Sequence, residues 1–163
     1  MILDVEKKKL QSFISTDANE QWPDFSPDGR WLAYCSDRTG RNEVYLRSFP
    51  AGDKEIVVSN NGGVAPLWSP DGRELFYRAL EWKKLIKVDI KTQPEFSMGL
   101  PQVLFEHAGG GGNPIRAYDI TPDGQRFLFY VGSSEYKPVP VTKLTLVQNW
   151  FDELRRLAPP GER

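Results

Sequence analysis

The sequence has one cysteine, Cys35, and one histidine, His107. A single cysteine excludes an internal disulfide, and it reads as a small buried strand residue. One histidine and one distant cysteine fall short of the ligands a zinc site needs. Neither sign of charge dominates, since 21 lysines and arginines stand against 22 aspartates and glutamates. No strong field is therefore available to attract nucleic acid or an anionic membrane. No stretch approaches the roughly 18–20 apolar residues of a membrane span. The opening, Met1-Ile2-Leu3-Asp4-Val5-Glu6-Lys7-Lys8-Lys9, carries charge where an export signal needs an apolar run, so no such signal is expected there.

Turn formers and aromatics are plentiful: 13 prolines, 14 glycines, five tryptophans, six tyrosines and nine phenylalanines. That mixture suits a chain of many turns with large rings filling the space between stacked sheets. Three copies of Pro-Asp-Gly occur, at Pro27-Asp28-Gly29, Pro70-Asp71-Gly72 and Pro122-Asp123-Gly124. Each sits between two apolar runs, as in Phe25-Ser26 before the first copy and Trp31-Leu32-Ala33-Tyr34 after it. Proline presets φ, aspartate bonds its own backbone, and glycine supplies a positive φ, so each copy predicts a hairpin. The prolines lie 43 and then 52 residues apart. One hairpin per 40–45 residues is the sequence mark of β-propeller blades.

The strands follow from that frame. Ile2–Val5 and Lys9–Ser15 form an N-terminal hairpin, and a short strand ends near Phe25. Trp31–Ser36, Glu43–Ser48 and Glu55–Ser59 complete a first unit. Pro66–Trp68, Glu74–Ala79, Lys84–Asp89 and Val103–Glu106 form a second. Arg116–Ile120, Arg126–Val131 and Lys143–Gln148 form a third. After each turn, Leu32/Tyr34, Leu75/Tyr77 and Phe127/Phe129 share one face at period two. The opposite face carries Trp31/Ala33/Cys35, Phe76 and Leu128/Tyr130. A strand apolar on both faces is buried on both, as in a blade held between two neighbours. Asn149 as an N-cap and Pro159-Pro160 as a stop bracket a short amphipathic helix over Trp150–Leu157.

The expected fold is therefore all-β, a partial β-propeller of about three four-stranded antiparallel blades with a short C-terminal helix. Residues 1–148 would form the propeller portion, with repeats at 22–59, 66–106 and 116–148 beside the hairpin 1–15, and 149–163 the helix and tail. Closed propellers have 4–8 blades. An arc of three leaves an apolar face at each end, and such faces invite association. The chain is then either part of a longer ring or half of a six-bladed ring closed by a second copy.

The quoted turns resemble the WD40-like repeats called PD40, found in TolB-like propellers and in the propellers of prolyl-oligopeptidase-type peptidases. Tyr34-Cys35-Ser36-Asp37-Arg38-Thr39-Gly40-Arg41-Asn42-Glu43-Val44-Tyr45 is similar to that family's strand–turn–strand. The segment Thr145-Leu146-Val147-Gln148-Asn149-Trp150-Phe151-Asp152-Glu153-Leu154 looks like the closing segment of propellers attached to bacterial membrane-bound serine/threonine kinases. These resemblances imply a protein- or peptide-binding scaffold, or an accessory or sensor domain of a larger kinase or hydrolase. They also imply a periplasmic or extracytoplasmic setting in longer homologues.

No catalytic constellation is expected. There is no Gly-x-Ser-x-Gly elbow, no glycine-rich kinase loop and no His-Arg-Asp motif. Gly109-Gly110-Gly111-Gly112-Asn113-Pro114 lacks the Lys-Ser/Thr of a phosphate loop and reads as an inter-blade connector. The aspartates of the three turns are explained by turn chemistry, and the run Asp17, Asn19, Glu20 and Asp24 lacks the pattern of a calcium loop. No cofactor or metal is expected. Function then falls to loops held on a rigid scaffold. The loops between second and third strands should share a face with those between blades, and the partner-binding candidates there are Arg38, Arg78, Trp82, His107 and Arg116. Trp82 is expected to pack against a neighbouring loop. A protein or peptide partner is the leading expectation. A sugar or small molecule is a lesser one, compatible with the aromatic loop residues.

Overall fold

The computed structural model describes residues 1–106 and 116–130, all within one compact unit spanning Met1–Gly132. The expected strand Lys143–Gln148, the helix Trp150–Leu157, the four-glycine loop and His107 lie outside the described residues. Every described element is a β-strand. Strands β1 (Ile2–Asp4) and β2 (Lys9–Gln11) make the N-terminal hairpin.

The first blade is the four-stranded antiparallel sheet β3 (Glu20–Phe25), β4 (Trp31–Ser36), β5 (Glu43–Ser48) and β6 (Glu55–Val57) in that order. The second runs β7 (Val64–Trp68), β8 (Glu74–Arg78) and β9 (Lys84–Lys91). Its outer edge is divided between β10 (Ser97–Met98), paired with Ile90 and Lys91, and β11 (Gln102–Glu106), paired along Lys84–Lys87. The third blade is described as β12 (Tyr118–Ile120) and β13 (Phe127–Phe129). The antiparallel blades and their 43-residue offset are those of a partial β-propeller.

The turns form as their residues dictate. In the first, Gly29 takes φ 68° and its N–H donates to the Ser26 carbonyl at 2.8 Å. The Ser26 hydroxyl donates to the Asp28 carboxylate at 2.6 Å and accepts the Trp31 N–H at 2.9 Å. Asp28 in turn accepts the Arg30 N–H at 3.0 Å. Ser69/Asp71 and Thr121/Asp123 repeat this network, with Glu74 and Arg126 as the matching amide donors. A hydroxyl residue before Pro-Asp-Gly is thus part of the motif: it satisfies amides that the tight turn would leave without partners.

Both faces of the central strands are used. Every residue of β4 and β7 is buried. Trp31, Ala33, Val44 and Leu46 of the first blade pack with Leu75, Tyr77, Ile86, Val88 and Ile90 of the second. The reverse face of the second blade, Leu67, Phe76 and Leu85, packs with Tyr118, Ile120, Phe127 and Phe129 of the third. Phe76 meets Phe127 edge to face, with ring centroids 4.9 Å apart. Equivalent residues thus face the same way in each blade. Leu32 and Tyr34 face the N-terminal segment, where they line a hollow with Met1, Ile2, Phe13 and Ile14. Leu128 and Tyr130, on the far face of β13, are 73% and 62% exposed.

Ser26→Ala should cost about 1–2 kcal/mol in urea denaturation, because two amides lose their acceptor and Asp28 its donor. An unchanged midpoint would refute this account of the turn. Acid should act on all three copies. Burial pushes the Asp28 carboxyl up, but the Ser26 hydroxyl and the Arg30 N–H outweigh it and hold the group below the usual range. Asp71 and Asp123 are held low chiefly by the hydroxyls of Ser69 and Thr121. Depressed folded values mean that this stability is fully present above the unfolded carboxylate range near pH ~3.9 and is lost as pH falls through the folded values. Replacing all three aspartates by asparagine should flatten the acid limb of a stability–pH profile measured between pH 5 and 2.

Candidate functional site

The first strands of the blades, β3, β7 and the segment leading into β12, meet at Asp24. Its carboxylate accepts the Trp68 N–H at 2.8 Å and faces the Arg116 guanidinium at 3.3 Å. One side chain of the first blade therefore ties itself to the second and the third. Burial raises the Asp24 carboxyl above its ordinary value against the opposing pull of Trp68 N–H and Arg116. β3 and β7 each carry a register shift with a non-glycine residue in the left-handed region there, Trp22 at φ 52° and Ala65 at φ 53°. These bulges bend the inner strands.

Beside this junction opens a cleft of about 570 Å³, lined by Trp22, Pro23, Arg116, Ala117, Tyr118, Asp119, Leu128 and Tyr130. Tyr118 is buried, and its hydroxyl donates to the Ala65 carbonyl at 2.6 Å. Burial raises the Tyr118 phenol, so it remains neutral. The walls are therefore aromatic and apolar, with the Asp24–Arg116 pair on one side and the exposed Asp119 at the rim.

The sequence candidates divide. Trp82 packs edge to face on Trp22, with centroids 6.1 Å apart, so this ring contact is with a residue of strand β3 and not with the expected neighbouring loop. Arg78 lies by Trp82, its guanidinium carbon 5.7 Å from that ring. Arg116 is in the cleft wall, so these three gather in one region. Arg38 does not join them: it is held by Glu55 at 2.5 Å and stacks 3.9 Å over the Tyr45 ring. The reading of Arg78 as a loop residue is corrected, because it closes β8, paired with Leu85, and is fully buried. The expected common face of loops is present: the Gly63 N–H, between blades, donates to the Asn42 carbonyl of the β4–β5 loop at 2.9 Å.

The acidic run does not converge. Asn19 bonds Asp37, Glu20 accepts from Thr16, and Asp24 is committed as above. Among the described residues there is no group of three or more His, Cys, Asp or Glu placed to hold a metal ion, and no helix is long and apolar enough to cross a membrane. Sequence reading missed Trp22 and Tyr118, and weighed Asp24 only as part of the acidic run. The equivalence of Trp22 with Ala65 at the 43-residue offset was the available signal, since a tryptophan replaces an alanine there.

Asp24→Ala should destabilise the chain by about 2–4 kcal/mol in chemical denaturation, because the Trp68 N–H loses its acceptor and Arg116 its carboxylate, keeping the Pro23 carbonyl at 3.4 Å. Asp24→Asn, which keeps a carbonyl oxygen, should recover part of that loss. Equal stability of Asp24→Ala and the unaltered chain would contradict the junction.

No family model matches the chain. It is 27% identical over 138 residues to an uncharacterized protein of Agrobacterium fabrum, covering 78% of this chain and 47% of that protein. It is 34% identical over 74 residues to the Tol-Pal system protein TolB of Alcanivorax borkumensis, covering 44% of this chain and 17% of the relative. A 55-residue stretch is 44% identical to an uncharacterized peptidase of Bacillus subtilis, YuxL, covering 32% and 8%. The chain thus spans about half the length of the first relative and less than a fifth of the other two. Among solved structures, TolB from Acinetobacter baumannii gives a TM-score of 0.45 at 16% identity, over 82% of this chain and 43% of that one. An oligogalacturonate lyase from Vibrio parahaemolyticus gives 0.46 at 23%, over 64% and 28%. The chain is a partial β-propeller with repeats similar to those of TolB.

Proposed function

We propose that this chain is a non-enzymatic binding module that presents its inner-strand cleft to a protein or peptide partner. The observation that carries this reading is the aromatic cleft of about 570 Å³ between Trp22 and Tyr118/Tyr130, anchored on the Asp24–Arg116 junction. Aromatic and arginine anchors in a preformed hollow supply most of the energy in peptide recognition. The partial likeness to the Tol-Pal system protein TolB supports a protein partner. Accessory service to a larger kinase or hydrolase remains the alternative from sequence, and the peptidase likeness over 55 residues bears on it. Of the sequence candidates, Arg78, Trp82 and Arg116 belong to this reading, whereas the ion pair of Arg38 with Glu55 argues for a structural role.

A second copy completing a six-bladed ring is favoured by a specific feature. On the far side of β13 and just beyond it Leu128 and Tyr130 are exposed, and at the other end the N-terminal hairpin exposes Leu3 and Leu10. Apolar groups thus stand at both ends of the arc, as association through those ends requires.

Selection of random peptides on the purified chain should enrich a consensus that Trp22→Ala binds at least about tenfold more weakly. No enrichment, or equal binding by the variant, would contradict the cleft as the binding surface. Sedimentation at micromolar concentration should give a dimer that Leu128→Glu/Tyr130→Glu converts to monomer; a monomeric unaltered chain would eliminate the ring.

A further inference from the structure

Among the described residues Arg78 is the largest fully buried side chain, and its Nε, Nη1 and Nη2 have no hydrogen-bond partner there. A buried guanidinium without an acceptor is strongly disfavoured, because desolvation is not repaid by a partner. Burial accordingly lowers its proton affinity, opposed only by Tyr118. The ring faces around it are Phe129, 5.4 Å from the guanidinium carbon, and Trp82 at 5.7 Å. Cation–π contact offsets part of the loss of water, but it leaves every N–H donor unused.

The internal repeat shows that the fold does not require this arginine. At the 43-residue offset Arg78 stands where the first blade has Cys35. Both stand near the end of their strand on the face toward the following blade: Cys35 pairs with Val44, and Arg78 with Leu85. Cys35 is small and buried, and its thiol meets the Gly63 carbonyl at 3.4 Å. The turn after Arg78 departs as well. In the first blade the turn Asp37–Gly40 ends on glycine at φ 88°, its N–H donating to the Asp37 carbonyl at 2.8 Å. In the second the same bond, Trp82 N–H to the Ala79 carbonyl at 2.9 Å, ends on tryptophan at φ 61°. A left-handed conformation is disfavoured for a non-glycine residue, because its Cβ crowds the following carbonyl oxygen. The second blade thus carries a charge without an acceptor and a strained ring side by side. The strained ring packs on Trp22, a wall of the cleft, and Tyr118 is another. Strain and unsatisfied groups retained together mark a binding site.

We propose that Arg78, buried behind the Trp22 and Tyr118 side of this cleft and not part of its lining, is a carboxylate-recognition residue, and that Trp82 covers it in the free protein and turns aside when a peptide carboxylate enters. The inference rests on the reading of the cleft as a peptide-binding surface and adds the chemistry it selects. A single guanidinium between aromatic faces suits a planar, singly charged carboxylate, which it grips with two parallel N–H bonds. A phosphate dianion would call for further donors, and Arg116 of the cleft wall is already paired with Asp24.

Three amidated or free pentapeptides decide it. The first carries a central glutamate between tyrosine and leucine with both ends blocked, and the second replaces glutamate by glutamine. The third keeps glutamine and ends in a free carboxylate. Binding is read from the Trp82 indole and Arg78 Nε–H signals in NMR titrations of the full chain. One carboxylate peptide should bind about 10–100-fold more tightly than the blocked glutamine peptide, and which one does so separates a side-chain from a terminal carboxylate. Arg78→Met should erase the difference while raising Tm by roughly 2–10 °C, as expected when a buried charge is replaced by an apolar group of similar length. Equal binding of all three would overturn the role of Arg78 and leave the peptide-binding reading standing. Binding of none, displacement by inorganic phosphate alone, or a lower Tm in Arg78→Met would each overturn the inference. The peptide-binding reading is judged separately, by the selection on the Trp22→Ala variant.

Discussion

The structure depends on the burial of sheets from both sides. A strand such as β4, buried at all six positions, has no solvent face to offer, so it is stable only between two neighbours. Ala33 and Leu46 need Leu75 and Val88 opposite them, and Phe76 needs Phe127 behind it. Each blade is the hydrophobic floor of the next. The same requirement leaves Leu128 and Tyr130 exposed at the end of the described arc.

Function grows from the edges of that stack. The inner strands converge because each blade turns on a Pro-Asp-Gly hairpin of the same geometry, so equivalent residues point the same way in all three. Asp24 then reaches two other blades at once, and Trp22, Tyr118 and Tyr130 are left around a hollow. The outer strands of the first blade use their polar groups differently. Glu55 gathers Tyr34, Arg38 and Arg47 around its carboxylate, which explains why Arg38 is not part of the cleft.

Much of the fold was legible in the sequence because its cause is local. The turn residues placed the hairpins, and β4 and β5 have the bounds that their alternation implies. The two-faced apolar pattern of β4 and β8 announced sheets covered on both sides. Other features were not legible for a physical reason. β10 is two residues, Ser97 and Met98, with no periodicity to read. β9 runs to Lys91 because pairing with β10 extends it past the apolar pattern. The N-terminal hairpin is shorter than its composition implied, since Phe13 leaves the ladder to pack edge to face on Phe49. The Asp24–Arg116 contact joins residues 92 apart, so no local signal encodes it. Arg78 looked like a loop residue because charge at a strand end ordinarily faces water; only its register with Leu85 reveals that it is buried.

Mutual support of adjacent blades is the central claim, and native-state hydrogen exchange across a denaturant series tests it most directly. The amides of β4 and β5 should open in the same cooperative unit, at the same free energy, as those of β7 and β8, because neither sheet keeps its core without the other. Exchange in which one of these sheets remains fully protected while the other opens freely would contradict the account.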